Sequence, residues 1–132
     1  VDLAKAAGAT YIITPNVNTK LISYAKDKDL VVMPGAFTPS EIVDAYDAGA
    51  DFVKVFPAGN LGANYIKAIK APLSHIRLLA VGGVNEKNIA EFLKAGVAGA
   101  GVGGNLVNKN WIAAGEFDRI TELSKEYVNA IK

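Results

Sequence analysis

The sequence contains no cysteine, which excludes disulfides and thiolate metal sites and suits a reducing compartment. It also lacks any run of like charge. Fourteen basic residues against thirteen acidic ones leave a formal charge of +1, so no surface for nucleic acid or anionic lipid is marked out. No stretch approaches the length of a membrane span, and the first residues lack the charged and apolar regions of a signal peptide. These absences leave a small molecule as the expected partner and the cytoplasm as the expected location. What the chain does have is apolar substance: 51% of its residues are hydrophobic and 20% charged, the balance of a folded chain with a sizeable core rather than a disordered one. It begins at Val1, in a stretch to Ala7 that reads as the end of a helix, and so reads as a piece of something longer.

Glycine punctuates the chain at regular intervals. Ala7-Gly8-Ala9, Ala48-Gly49-Ala50 and Ala95-Gly96-Val97 each follow an amphipathic helical stretch and precede an apolar run, and glycine suits the left-handed position that ends a helix. The runs Tyr11 to Thr14, Leu30 to Met33, Phe52 to Val55, Ile76 to Val81 and Ala98 to Val102 read as buried strands. Helical patterns lie at about Thr19 to Asp27, Pro39 to Ala48, Ala63 to Ile69 and Glu86 to Ala95, with a last one from Glu116 to Ile131. Thr38-Pro39-Ser40-Glu41 supplies an N-cap with proline at the first helical position, and Asn85 is placed to cap a helix entering at Glu86.

Alternating strands and helices make parallel sheets. Strands recurring at roughly twenty to twenty-six residues match a TIM (β/α)8 barrel, so residues 1–132 are expected to be a single-domain partial barrel made of its last five βα units. A doubly wound open sheet is the alternative. The glycine cluster Gly99-Ala100-Gly101-Val102-Gly103-Gly104 lacks the spacing and the downstream acidic partner of a dinucleotide site.

In a barrel, chemistry sits where the strands end at their C-termini. Those ends carry Thr14-Pro15-Asn16, Met33-Pro34-Gly35, Lys54-Val55-Phe56-Pro57, Val81-Gly82-Gly83 and Gly103-Gly104-Asn105, and Lys54 is the ionisable residue among them. Strand alternation puts Phe52, Lys54 and Phe56 on one face. If that face is the barrel interior, burial lowers the lysine pKa and enlarges the neutral fraction able to attack a carbonyl. The bland reading is a lysine whose stem packs and whose head reaches water; the strand end and the two phenylalanines favour the nucleophile. Gly82-Gly83 and Gly103-Gly104 would follow the seventh and eighth strands, where barrels commonly hold phosphate on backbone N–H groups, with Asn105 to Val107 as a short extra helix. Glycine pairs also simply let strands turn into helices. His75 reads as a solvated loop histidine, and Trp111, Phe117 and Tyr127 as packing residues of the last helical region.

These strand ends resemble those of the 2-keto-3-deoxy-6-phosphogluconate (KDPG) and 4-hydroxy-2-oxoglutarate (KHG) aldolases along essentially the whole chain. The most specific element is Asp51-Phe52-Val53-Lys54-Val55-Phe56-Pro57-Ala58, which is similar to the family's lysine strand K-x-F-P-A. Met33-Pro34-Gly35 resembles the P-G turn, Val81-Gly82-Gly83-Val84 the T-G-G-I/V element and Gly103-Gly104-Asn105 the G-G-S element. The resemblance implies a class I aldolase in which Lys54 forms the Schiff base with a 2-keto acid. It implies that Pro34, Phe56 and Val81 line the substrate site and that Gly82, Gly83, Gly103, Gly104 and Asn105 receive a phosphate. It implies no metal or organic cofactor, and a homo-oligomer, a trimer. Val81 stands where the family has a substrate-contacting threonine and Asn105 where it has a phosphate-binding serine. No residue matches the family's catalytic glutamate, its carboxylate-binding arginine or its third-strand threonine, so the 132 residues alone are expected to be inactive. The rival readings are a phosphosugar isomerase or epimerase barrel, which would need carboxylate or histidine bases at these strand ends, and a non-catalytic partial barrel that binds phosphorylated ligands.

Overall fold

The computed structural model describes residues 1–132. Helix α1 spans Asp2–Ala6, followed by β1 Tyr11–Ile13, α2 Thr19–Lys26, β2 Val31–Met33, β3 Gly35–Ala36, α3 Pro39–Asp47 and β4 Val53–Val55. Then come α4 Ala58–Lys70, β5 Leu78–Val81, α5 Ile89–Lys94, β6 Gly99–Gly101, α6 Lys109–Ala113 and α7 Phe117–Ala130. All strand pairs are parallel, β1 with β2 in one sheet and β3-β4-β5-β6 in order in the other. Neighbours in space are neighbours in sequence. A doubly wound sheet reverses its strand order at a switch point, and no such reversal occurs here.

The break between β2 and β3 falls at Pro34, which has no N–H to give to a ladder. Chain direction continues through it. Val31–Met33 pairs with β1 on one side, and Gly35–Ala36 pairs with β4 on the other, Gly35 opposite Lys54. The strand expected from Leu30 to Met33 is β2, and the two-residue β3 beyond Pro34 has no counterpart in the sequence reading.

Alternation along the strands separates two faces. Val32, Ala36, Val53, Val55, Leu78 and Ala80 are buried against an apolar layer from the helices that includes Ile22, Ile42, Ile66 and Phe92. Burying the valine, leucine, isoleucine and phenylalanine side chains among them stabilises by about 1.5–3 kcal/mol each. The opposite face carries Tyr11, Ile13 and Val31, which are exposed, together with Lys54.

Helix starts follow local chemistry. Thr38 Oγ1 accepts from the Glu41 N–H at 3.3 Å while Glu41 Oε2 accepts from the N–H groups of Thr38 and Phe37, a reciprocal capping box with Pro39 at the first turn. Asn85 does not cap a helix at Glu86: its Oδ1 accepts from the N–H groups of Lys87 and Asn88 in a turn, and α5 begins only at Ile89. Asn105 to Val107 is not a helix either. It is one turn closed by Leu106 and Val107 N–H groups on the Gly103 carbonyl, and the helix of this region is α6, capped by Asn108. Phe117, expected to pack, is 59% exposed, whereas Tyr127 is 6% exposed. His75 is exposed and meets the Tyr46 ring edge-on at 5.2 Å.

Candidate functional site

Lys54 is held by its backbone from both sides. Its N–H donates to the Pro34 carbonyl at 2.9 Å, Val53 N–H donates to Arg77 O at 2.9 Å, and Phe56 N–H donates to Ala36 O at 3.0 Å. The entry to β4 is clamped by Asp51, whose carboxylate accepts from Lys26 Nζ at 2.9 Å and from the Val32 N–H at 2.8 Å. Burial pushes the Asp51 pKa up, but the Lys26 hydrogen bond, the Val32 amide and nearby positive charge outweigh it and hold the carboxyl below its usual value.

The Lys54 side chain points to the open face. Its Nζ lies 4.4 Å from the centroid of the Phe56 ring and makes no hydrogen bond or ion pair. Burial among apolar groups lowers its pKa from the usual lysine value, because the ammonium loses hydration that the ring's quadrupole replaces only in part. Below it, Phe52 is covered by the Arg77 guanidinium, 4.4 Å from its centroid.

Beside Phe56 opens a cleft of about 270 Å³ bordered by Phe56, Val81, Gly82, Gly83, Val84, Gly101, Gly103, Gly104 and Asn105. Seven of the nine residues singled out in the sequence thus meet in one place, and Lys54 adjoins it through the Phe56 ring. Pro34 does not meet them. Its side chain is less than 2% exposed and does not border this cleft. Its contribution is the carbonyl that holds Lys54.

The two glycine pairs differ in kind. Gly82 and Gly83 have φ of +83° and +75°, and a Cβ on Gly82 would lie 2.9 Å from the Phe56 ring while one on Gly83 would lie 3.0 Å from Gly59 Cα. The fold demands glycine at both. Gly103 and Gly104 would meet nothing within 4 Å, so their lack of a side chain answers to nothing in the protein and keeps the cleft floor open. The N–H groups of Gly82, Gly83, Val84, Gly103, Gly104 and Asn105 donate to no protein acceptor. Unpaired amides bordering one cleft are suited to an anion. Asn105 Nδ2 donates to the Val84 carbonyl at 3.0 Å, which ties the two glycine turns together. Sequence reading passed over Gly59, whose N–H donates to Gly82 O at 2.7 Å and whose missing Cβ leaves room for Gly83; the small pair Ala58-Gly59 straight after the lysine strand was its one signal. No cluster of histidine or acidic side chains is placed to hold a metal, and no helix is long and apolar enough to cross a membrane.

A parallel α/β sheet that presents a desolvated, unpaired lysine at a strand end next to a cradle of free amides has the features of a Schiff-base lyase site. Comparison with known proteins gives the family. The model for KDPG and KHG aldolases matches residues 1–123, and the chain belongs to that family. It is 38% identical over its whole length to the 2-dehydro-3-deoxy-6-phosphogalactonate aldolase of Escherichia coli (strain K12), of which it covers 63%. It is 33% identical, over 96% of its length, to the KHG/KDPG aldolase of the same strain, of which it covers 60%. The chain therefore spans somewhat under two thirds of these relatives. A solved native KDPGal structure superposes on 98% of the chain with a TM-score of 0.90 at 37% identity, 61% of that chain being covered. The KDPG aldolase of Legionella pneumophila, solved with pyruvate captured as a covalent carbinolamine, matches 90% of the chain with a TM-score of 0.81 at 30% identity, 58% of it being covered.

Proposed function

We propose that this chain carries the Schiff-base lysine and the phosphate cradle of a class I aldolase that cleaves a 2-keto-3-deoxy-6-phospho sugar acid to pyruvate and glyceraldehyde 3-phosphate, and 4-hydroxy-2-oxoglutarate to pyruvate and glyoxylate. The observation that carries this reading is Lys54, desolvated and unpaired, 4.4 Å from the Phe56 ring that borders the cleft. Neutral Nζ adds to the C2 carbonyl and water leaves, giving an iminium. The electrons of the C3–C4 bond flow into it as the C4 hydroxyl loses its proton, so an aldehyde departs and an enamine remains. Protonation at C3 and hydrolysis release pyruvate and restore the lysine. No carboxylate or imidazole hydrogen-bonds Lys54, so the base for the C4 hydroxyl, which must come within about 3 Å of it, is assigned to the part of the relatives that this chain does not span. In this reading the five βα units are part of an eight-strand barrel in a cytoplasmic homo-oligomer, a trimer.

Reduction with borohydride in the presence of pyruvate tests the lysine. A stable adduct mapping to Lys54 by peptide mass is expected, and labelling of a different lysine, or of none, would sink the assignment. Turnover measured on the gluconate and galactonate substrates, which differ in configuration at C4, decides how Val81 reads that carbon, since its isopropyl group offers no hydrogen bond.

Gly104→Val tests the cradle. A Cβ at this position meets nothing within 4 Å, so thermal stability is expected to hold, while the KM for a phosphorylated substrate rises about tenfold or more through loss of amide contacts and that for 4-hydroxy-2-oxoglutarate changes little. Equal rises in both would place the phosphate elsewhere.

A further inference from the structure

We infer that Asn88 is a positioning residue for the anion cradle, acting on substrate through the Gly82-Gly83-Val84 turn. The inference rests on the phosphate reading above and extends it to a residue outside the cleft.

Asn88 occupies the N-cap of α5, where an asparagine ordinarily gives its side-chain oxygen to an amide of the first helical turn. It makes no such bond. Its side chain turns back instead: Nδ2 donates to the Gly83 carbonyl at 3.0 Å, and Oδ1 accepts from the Asn85 N–H at 2.8 Å. The capping energy of the helix, about 1 kcal/mol at a typical site, is forgone in favour of the turn.

The Gly83 bond completes a set. Gly82 O is held by the Gly59 N–H at 2.7 Å, Gly83 O by Asn88, and Val84 O by Asn105 Nδ2 at 3.0 Å. Three successive carbonyls are thus tied, each from a different segment, while the three N–H groups of the same residues have no protein partner. Fixing a carbonyl fixes the peptide plane that carries the next residue's N–H, so the Asn88 bond to Gly83 O sets the orientation of the Val84 amide. Glycines at φ of +83° and +75° are otherwise free to rotate, and a cradle must hold its donors in place before the anion arrives to bind well.

The test uses the full-length protein with inorganic phosphate as the probe, competing against the phosphorylated substrate. Asn88→Ala is expected to raise both the Ki for phosphate and the KM for that substrate about tenfold, the worth of one lost hydrogen bond in an ordered site. It should leave the KM for 4-hydroxy-2-oxoglutarate and the rate of borohydride-trapped pyruvate adduct at Lys54 within about twofold. Asn88→Ser guards against a failure to fold, because it keeps a small polar side chain favoured at a helix start while removing the amide that donates to Gly83 O, and it should show the same split. Unchanged phosphate affinity in a folded variant, or equal losses on phosphorylated and unphosphorylated substrates, would overturn the role of Asn88. Absence of phosphate competition in the unmutated protein would instead remove the cradle reading itself, whatever the Asn88 variants do.

Discussion

Replacing Lys54 with arginine is expected to lower aldol cleavage by roughly four orders of magnitude or more and to abolish the pyruvate adduct. Charge and stem length are nearly kept, but a guanidinium does not give up a proton to become a nucleophile. Lys54→Met should be equally inactive and, unlike a damaging core change, should raise thermal stability, because the lysine is desolvated with no carboxylate to compensate it. The pH dependence follows from the same burial. With its folded pKa below the unfolded one, Lys54 destabilises fully at pH below the folded value. That penalty fades as pH rises through the window between the two values and is absent above the unfolded one. Adduct formation should accordingly rise with pH through the lowered pKa and then level off. A stability-neutral Lys54→Met with residual adduct at another site would contradict both parts.

Gly35→Ala is expected to cost about 3 kcal/mol of stability and to reduce turnover with it. A Cβ on Gly35 would lie 2.3 Å from the Pro15 carbonyl oxygen and 2.9 Å from that of Thr14. These are backbone atoms at the end of β1, so relief requires moving a strand rather than rotating a side chain. Gly35 is also the register partner of Lys54, and whatever shift accommodates the methyl group reaches Lys54 through the ladder. Equilibrium unfolding in urea, read alongside turnover, checks this. A variant as stable as the unmutated protein would mean that the end of β1 yields easily.

Much of this was legible before any coordinates. Lys54 announced itself because a strand end is a poor place for an isolated charge, and alternation with Phe52 and Phe56 put it on a single face. Every parallel strand except the two-residue β3 was visible in the recurrence of short apolar runs. Boundaries were less so: within α4 the backbone leaves helical geometry at Gly62, at φ of +76°, so the pattern read from Ala63 is the part after this kink and the short turn before it, from Ala58, was missed. For Pro34 the motif gives proximity in sequence and says nothing of which side of the sheet its ring occupies. Gly59 and Asn88 escaped for a related reason. Their roles consist of hydrogen bonds to the backbone of a turn some distance away, and no composition or spacing rule encodes the carbonyl an amide will find.

The aromatic seat of the Lys54 ammonium has one more consequence. Where a lysine is tuned by neighbouring charges, its titration drifts with ionic strength, since dissolved ions screen Coulombic terms over about 8 Å under physiological conditions. Here the shift comes from burial, and the contact is the face of the Phe56 ring at 4.4 Å, neither of which a surrounding electrolyte screens appreciably. The lowered lysine pKa is therefore set by burial beside an aromatic ring, and it is expected to change little between dilute buffer and high salt.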